Sequence, residues 1–136
     1  MRLIAKRPRL YVGDAVPPEY DDIARETMLA YADCCLEGTP HEEQRNLHYH
    51  APRPVPAAVG MEIMRAAVPD GYNGFTYDLV GRIEGDVILA REGSVCVYVL
   101  LPGTAPDLGE NERDETETFV PDKEPIGQKA VRLWWD

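Results

Sequence analysis

Tyr20, Ile23, Ala24, Thr27, Met28, Tyr31, Cys34 and Cys35 return at intervals of three and four residues. That spacing lays one apolar stripe along a helix. Pro17 and Pro18 suit its first turn, where the helix dipole also favours Glu19, Asp21 and Asp22, and Gly38 offers a stop. A helix is therefore predicted over about 17–37. A shorter one over about 57–68 follows from Val59, Ile63, Met64 and Ala67 on one face, closed by Pro69-Asp70-Gly71.

Beyond residue 74 the period changes. Phe75 to Ile83, Val87 to Arg91 and Val95 to Leu100 are rich in β-branched and aromatic residues and are separated by Glu84-Gly85-Asp86 and Glu92-Gly93-Ser94, which predicts a three-stranded antiparallel meander. Val95 to Leu100 is apolar at both alternating sets of positions, the pattern of a strand covered on both sides. Lys129 to Asp136 alternates again and is expected to return to the sheet. At the other end, Leu3, Ile4, Leu10, Tyr11 and Val12 around Pro8 read as two short strands or one broken strand.

Two stretches lack a period. Residues 39–56 hold Pro40, Pro52, Pro54, Pro56 and every histidine of the chain, and residues 102–128 hold four more prolines within an acidic run. Both are expected to be loops, the second a flexible one. The fold class that results is α+β in one domain, 1–136. An antiparallel sheet of about four to five strands, the central meander 75–100 plus the C-terminal strand, carries the two helices on one face.

Composition narrows the classes of function. A net charge of −10 argues against direct binding of nucleic acid, which needs clustered Lys and Arg. No apolar run approaches the ~20 residues of a membrane span, and the basic start at Met1 to Pro8 lacks an apolar core, so a signal peptide is not expected. Three cysteines, two of them adjacent, do not make a disulfide framework. A cytoplasmic protein with reduced thiols is expected, or a virion component if phage-encoded.

The charge is also unevenly placed. Arg2, Lys6, Arg7 and Arg9 stand in the first nine residues with no acidic neighbour, whereas Asp14 to Glu43 holds nine carboxylates against Arg25, and Asp107 to Glu124 holds eight against Arg113 and Lys123. The basic arm and the acidic loop are complementary, so a protein partner or a second copy meeting head to tail is expected. Candidate contact residues are Arg2, Lys6, Arg7 and Arg9 on the arm, Asp114, Glu115, Glu117 and Phe119 in the loop, and the aromatic anchors Trp134 and Trp135.

Three kinds of chemistry compete with that reading. Cys34, Cys35, His41, His48 and His50 fall within seventeen residues, and thiolates with imidazoles are zinc ligands, so a small zinc-dependent enzyme is one alternative. Their spacing matches no zinc motif and the cysteines lie in the phase of the helix core; neither metal nor another cofactor is expected. His48 or His50 with Glu42 or Glu43 would supply a proton-transfer pair, but no nucleophile in a recognisable context accompanies it, and the only serine, Ser94, stands in a predicted turn. Carboxylates strung along a surface would also suit an acidic mimic of nucleic acid that inhibits a host defence complex. The favoured expectation is a non-enzymatic accessory subunit of a larger bacterial or phage-type assembly, acting through protein contacts.

Overall fold

A computed structural model describes residues 1–7, 9–31, 48–68, 83–100, 102–104, 113–116 and 130–135. Its elements are β1 (Arg2–Lys6), β2 (Arg9–Val12), a 3-10 turn (Pro18–Tyr20), α1 (Asp21–Ala30), β3 (His48–His50), β4 (Val55–Pro56), α2 (Ala57–Ala67), β5 (Asp86–Glu92), β6 (Ser94–Leu100), β7 (Arg113–Thr116) and β8 (Ala130–Trp135). β1 and β2 pair as a separate hairpin. The main sheet runs β3-β5-β6-β8-β7 with every described pairing antiparallel, and β4 also pairs with β5. The α+β class expected from the sequence is the one observed.

Gly93, at φ +74°, reverses the chain between β5 and β6, a backbone conformation that glycine adopts without steric cost. The register from that turn sorts the side chains. Val87, Leu89 and Arg91 share one face with Val95, Val97, Val99, Val131 and Leu133, while Ile88, Ala90 and Glu92 share the other with Cys96, Tyr98 and Arg132. The helices cover the first face. Gly60 of α2 lies so close to it that a Cβ there would stand 2.7 Å from Val87 Cγ2, so the missing side chain sets the helix–sheet distance. All of Val95 to Leu100 is buried, as expected of a strand covered on both sides. At about 1.5–3 kcal/mol for each fully buried Val or Leu, this strand pair supplies much of the core.

α1 shows how charge is spent inside the fold. Arg2 Nη1 donates to both oxygens of Asp21 at 2.7 Å and its Nη2 to the Val16 carbonyl at 2.6 Å. Arg53 clamps Asp22 in the same way at 2.6 and 2.9 Å and also reaches the Glu19 carbonyl. Both carboxylates stand in the first turn, where the helix dipole favours them. At the other end Arg91, 1% exposed, donates from Nη1 to the Ala30 carbonyl at 2.8 Å and lies over the Tyr31 ring. A cation capping a helix C-terminus and facing an aromatic ring is a favourable way to bury a charge. Tyr31 follows as the C-cap of α1. Tyr31 leaves the helix to set its hydroxyl between β5 and β6, donating to the Ala90 carbonyl at 2.5 Å and accepting from the Cys96 N–H.

Three further expectations are corrected. The place beside β5 that the meander assigned to Phe75–Ile83 is held by β3 and β4, both inside the stretch read as loop. Pro54 precedes β4 and Pro56 closes it, so the missing proline N–H falls at the end of a two-residue strand, beyond which the Ala57 N–H bonds to the Gly85 carbonyl. β7 is a strand within the acidic stretch read as loop, and β8 gives it a partner. The continuation of the first helix through 32–37, most of strand 75–83, and Pro69-Asp70-Gly71 lie outside the described residues.

Candidate functional site

The N-terminal hairpin places the basic arm. Register sets Leu3 opposite Tyr11 and Lys6 opposite Arg9, with an irregularity at Ile4 that keeps Ala5 opposite Leu10. Leu10 and Val12 are buried, and β2 packs on α1 and α2. The other face of the hairpin looks outward. Leu3 and Tyr11 are 42% and 39% exposed, two of the four large apolar side chains exposed among the described residues, and Lys6, Arg7 and Arg9 are exposed beside them. Among the described residues Lys6, Arg7 and Arg9 form no ion pair, while Arg2, grouped with them in the sequence, is tied to Asp21.

A second cluster closes over the opposite face of the main sheet. Glu92, at the end of β5, receives Nε2 of His50 at 2.8 Å and the hydroxyl of Tyr98 on one oxygen, and Nε of Arg132 at 2.9 Å on the other. These donors come from β3, β6 and β8. They converge because the floor beneath them is Ala90 and Cys96, directly opposed and both fully buried; larger residues there would hold the four side chains apart. Burial alone would raise the carboxyl pKa, but bonds from His50 and Tyr98 and the Arg132 charge outweigh it and hold Glu92 down to about 2. The same burial, joined by the carboxylate, pushes the Cys96 thiol and the Tyr98 phenol up.

Comparison with protein-family models, curated proteins and solved structures finds no match. Function must therefore be read from these two surfaces alone.

The remaining candidates divide. Trp134 and Trp135 take register positions opposite Cys96 and Val95, and Asp114 and Glu115 positions opposite Arg132 and Val131. Cys34, Cys35, His41, Glu42, Glu43, Glu117 and Phe119 lie outside the described residues. His50 is brought to Glu92, and His48 stands exposed at the sheet edge. Among the described residues no group of three or more His, Cys, Asp or Glu side chains could hold a metal ion. None of the described helices is long and apolar enough to cross a membrane.

Sequence reasoning missed Glu92, Tyr98, Arg132 and the exposed pair Leu3 and Tyr11. Glu92 stood in a predicted turn, and its partners His50 and Arg132 are 42 and 40 positions away. One signal was available: His48-Tyr49-His50 alternates as a strand does, and Tyr49 does point to the helices, where its hydroxyl meets Thr27 Oγ1 at 3.0 Å. Chemically, both Glu92 oxygens are already engaged. The carboxylate is held ionised and orients His50, Tyr98 and Arg132, so it ties four strands together.

Proposed function

We propose that this chain is a non-enzymatic binding subunit of a larger assembly, of bacterial or phage type, and that it engages a protein partner through the outward face of its N-terminal hairpin. The observation that carries the reading is the pairing of Leu3 with Tyr11 beside Lys6, Arg7 and Arg9, all exposed. An aromatic and an aliphatic side chain bury area on contact, while flanking cations orient an acidic partner. The polar cluster supports the same reading, because the acceptors of Glu92 are used within the fold.

In-cell photo-crosslinking tests it. A photoreactive amino acid replacing Tyr11 should give a discrete protein adduct, and one replacing Arg25, exposed on α1, should not. Absence of an adduct at Tyr11, or equal adducts at both positions, would overturn the proposal.

A further inference from the structure

Resting on that reading of the hairpin, we infer that its occupant is an extended peptide segment of the partner protein that presents a carboxylate and, two residues away on the same face, an aliphatic or aromatic side chain. β2 alternates cleanly, with Arg9 and Tyr11 exposed and Leu10 and Val12 buried. Its outward face thus carries a cation and an aromatic ring two residues apart. In a regular β1, Leu3 and Lys6 would point to opposite sides, because residues three apart in a strand do so. The irregularity between Leu3 and Ala5 turns Lys6 outward and sets it directly opposite Arg9, as Leu3 stands opposite Tyr11. The face therefore consists of an apolar pair and, next to it, a cationic pair, with Arg7 exposed in the turn beyond.

Like charges directly opposite each other on a ladder repel, and among the described residues neither Lys6 nor Arg9 meets a carboxylate. A carboxylate set between them relieves that repulsion. The polarity reverses at the other end of the hairpin, where exposed Asp14 stands 3.5 Å from the amino terminus and Asp21 holds Arg2 at 2.7 Å. A continuous polyanion, whether nucleic acid or an acidic bilayer, would be drawn to the cationic pair and repelled at the base, and the net charge of −10 adds to the repulsion. A peptide can change character along its length. Same-face positions of an extended segment lie about 7 Å apart, the spacing that separates Arg9 from Tyr11, so a carboxylate on the cationic pair brings its second neighbour onto Leu3 and Tyr11.

An NMR titration of the isotope-labelled full chain with two capped synthetic peptides of equal composition reads the outcome. One repeats Glu-Thr-Leu-Thr, which sets glutamate and leucine on one face of an extended segment; the other repeats Glu-Leu-Thr-Thr, which sets them on opposite faces. The first should shift the amide signals of the hairpin and bind about fivefold or more tightly than the second. K6E should weaken the first peptide by about tenfold and yet raise Tm by about 2 °C or more, because it turns a repulsive cross-strand pair into an attractive one. R9Q removes the repulsion without adding a charge and stands in if K6E does not fold, with weaker binding and no loss of Tm expected. Equal binding of the two peptides, no binding of either, a lowered Tm in the folded variant, or tighter binding of oligodeoxythymidylate or of phosphatidylserine vesicles would overturn the inference. The photo-crosslink at Tyr11 separates it from the reading beneath it. A discrete protein adduct alongside any of those results keeps the hairpin as the contact face and removes only this occupant; no adduct removes both.

Discussion

Replacing Glu92 by glutamine tests whether one carboxylate holds the sheet's far face together. The amide keeps the shape but loses the charge, and its NH2 group is a donor turned toward side chains that now donate to it: His50, Tyr98 and Arg132. The magnitude follows from proton linkage. An unfolded glutamate takes its proton near 4.5, whereas Glu92 in the fold does so near 2. At about 1.4 kcal/mol per pH unit that difference is worth about 3 kcal/mol near neutrality. The folded value is the lower one, so the contribution is complete above 4.5 and fades as pH falls toward 2. Urea unfolding followed by circular dichroism should therefore show Glu92→Gln less stable by about 2–3 kcal/mol near pH 7, a fall of about 10 °C in Tm for a chain of this size. Near pH 3 the gap should narrow to roughly 1 kcal/mol. A variant within about 0.5 kcal/mol of the native chain at neutral pH would refute the electrostatic reasoning. So would a deficit that does not change with pH, which would mean that only packing was lost.

Three further outcomes are expected. Gly103→Ala should destabilise by about 2 kcal/mol or more in the same assay, because its Cβ would stand 2.6 Å from the backbone oxygens of both Glu84 and Leu100 and would break the bridge between Glu84 and Thr104. Tyr31→Phe should cost about 1–2 kcal/mol, since the hydroxyl that joins the Ala90 carbonyl to the Cys96 N–H is removed without loss of the ring under Arg91; thermal melts check it, and an unchanged Tm would refute the role. Cys96 should react with a thiol reagent only on unfolding, because it is fully buried and its pKa is raised by burial and by the Glu92 charge; rapid labelling of Cys96 in the native chain, read by peptide mass, would contradict that.

What the sequence made legible was local. α2, β5, β6 and β8 each carry their own period, and Gly93 marks its own turn, so these elements were readable within a window of a dozen residues. The Arg91 cap on α1 was not, because Arg91 stands 61 positions from Ala30, whose carbonyl it meets. β3 and β7 are three and four residues long and owe their existence to a neighbouring strand rather than to propensity. Glu92 shows the same limit: nothing in Arg-Glu-Gly-Ser distinguishes a turn residue from the acceptor at the centre of a four-strand cluster. The basic arm was legible as charge, but the sequence could not say that Arg2 is spent on Asp21 while Lys6, Arg7 and Arg9 stay outside.

β8 lies between β6 and β7 although both precede it in the chain. During synthesis, then, β6 is made about thirty residues before β8, its neighbour, exists, and β7 is made before the strand it joins. Until β8 arrives, one side of β6 must wait open or be shielded by other means, at a stage when nascent hydrophobic strands are prone to wrong pairings. Closure of the sheet therefore waits on β8, so resistance to protease should rise only once β8 has emerged.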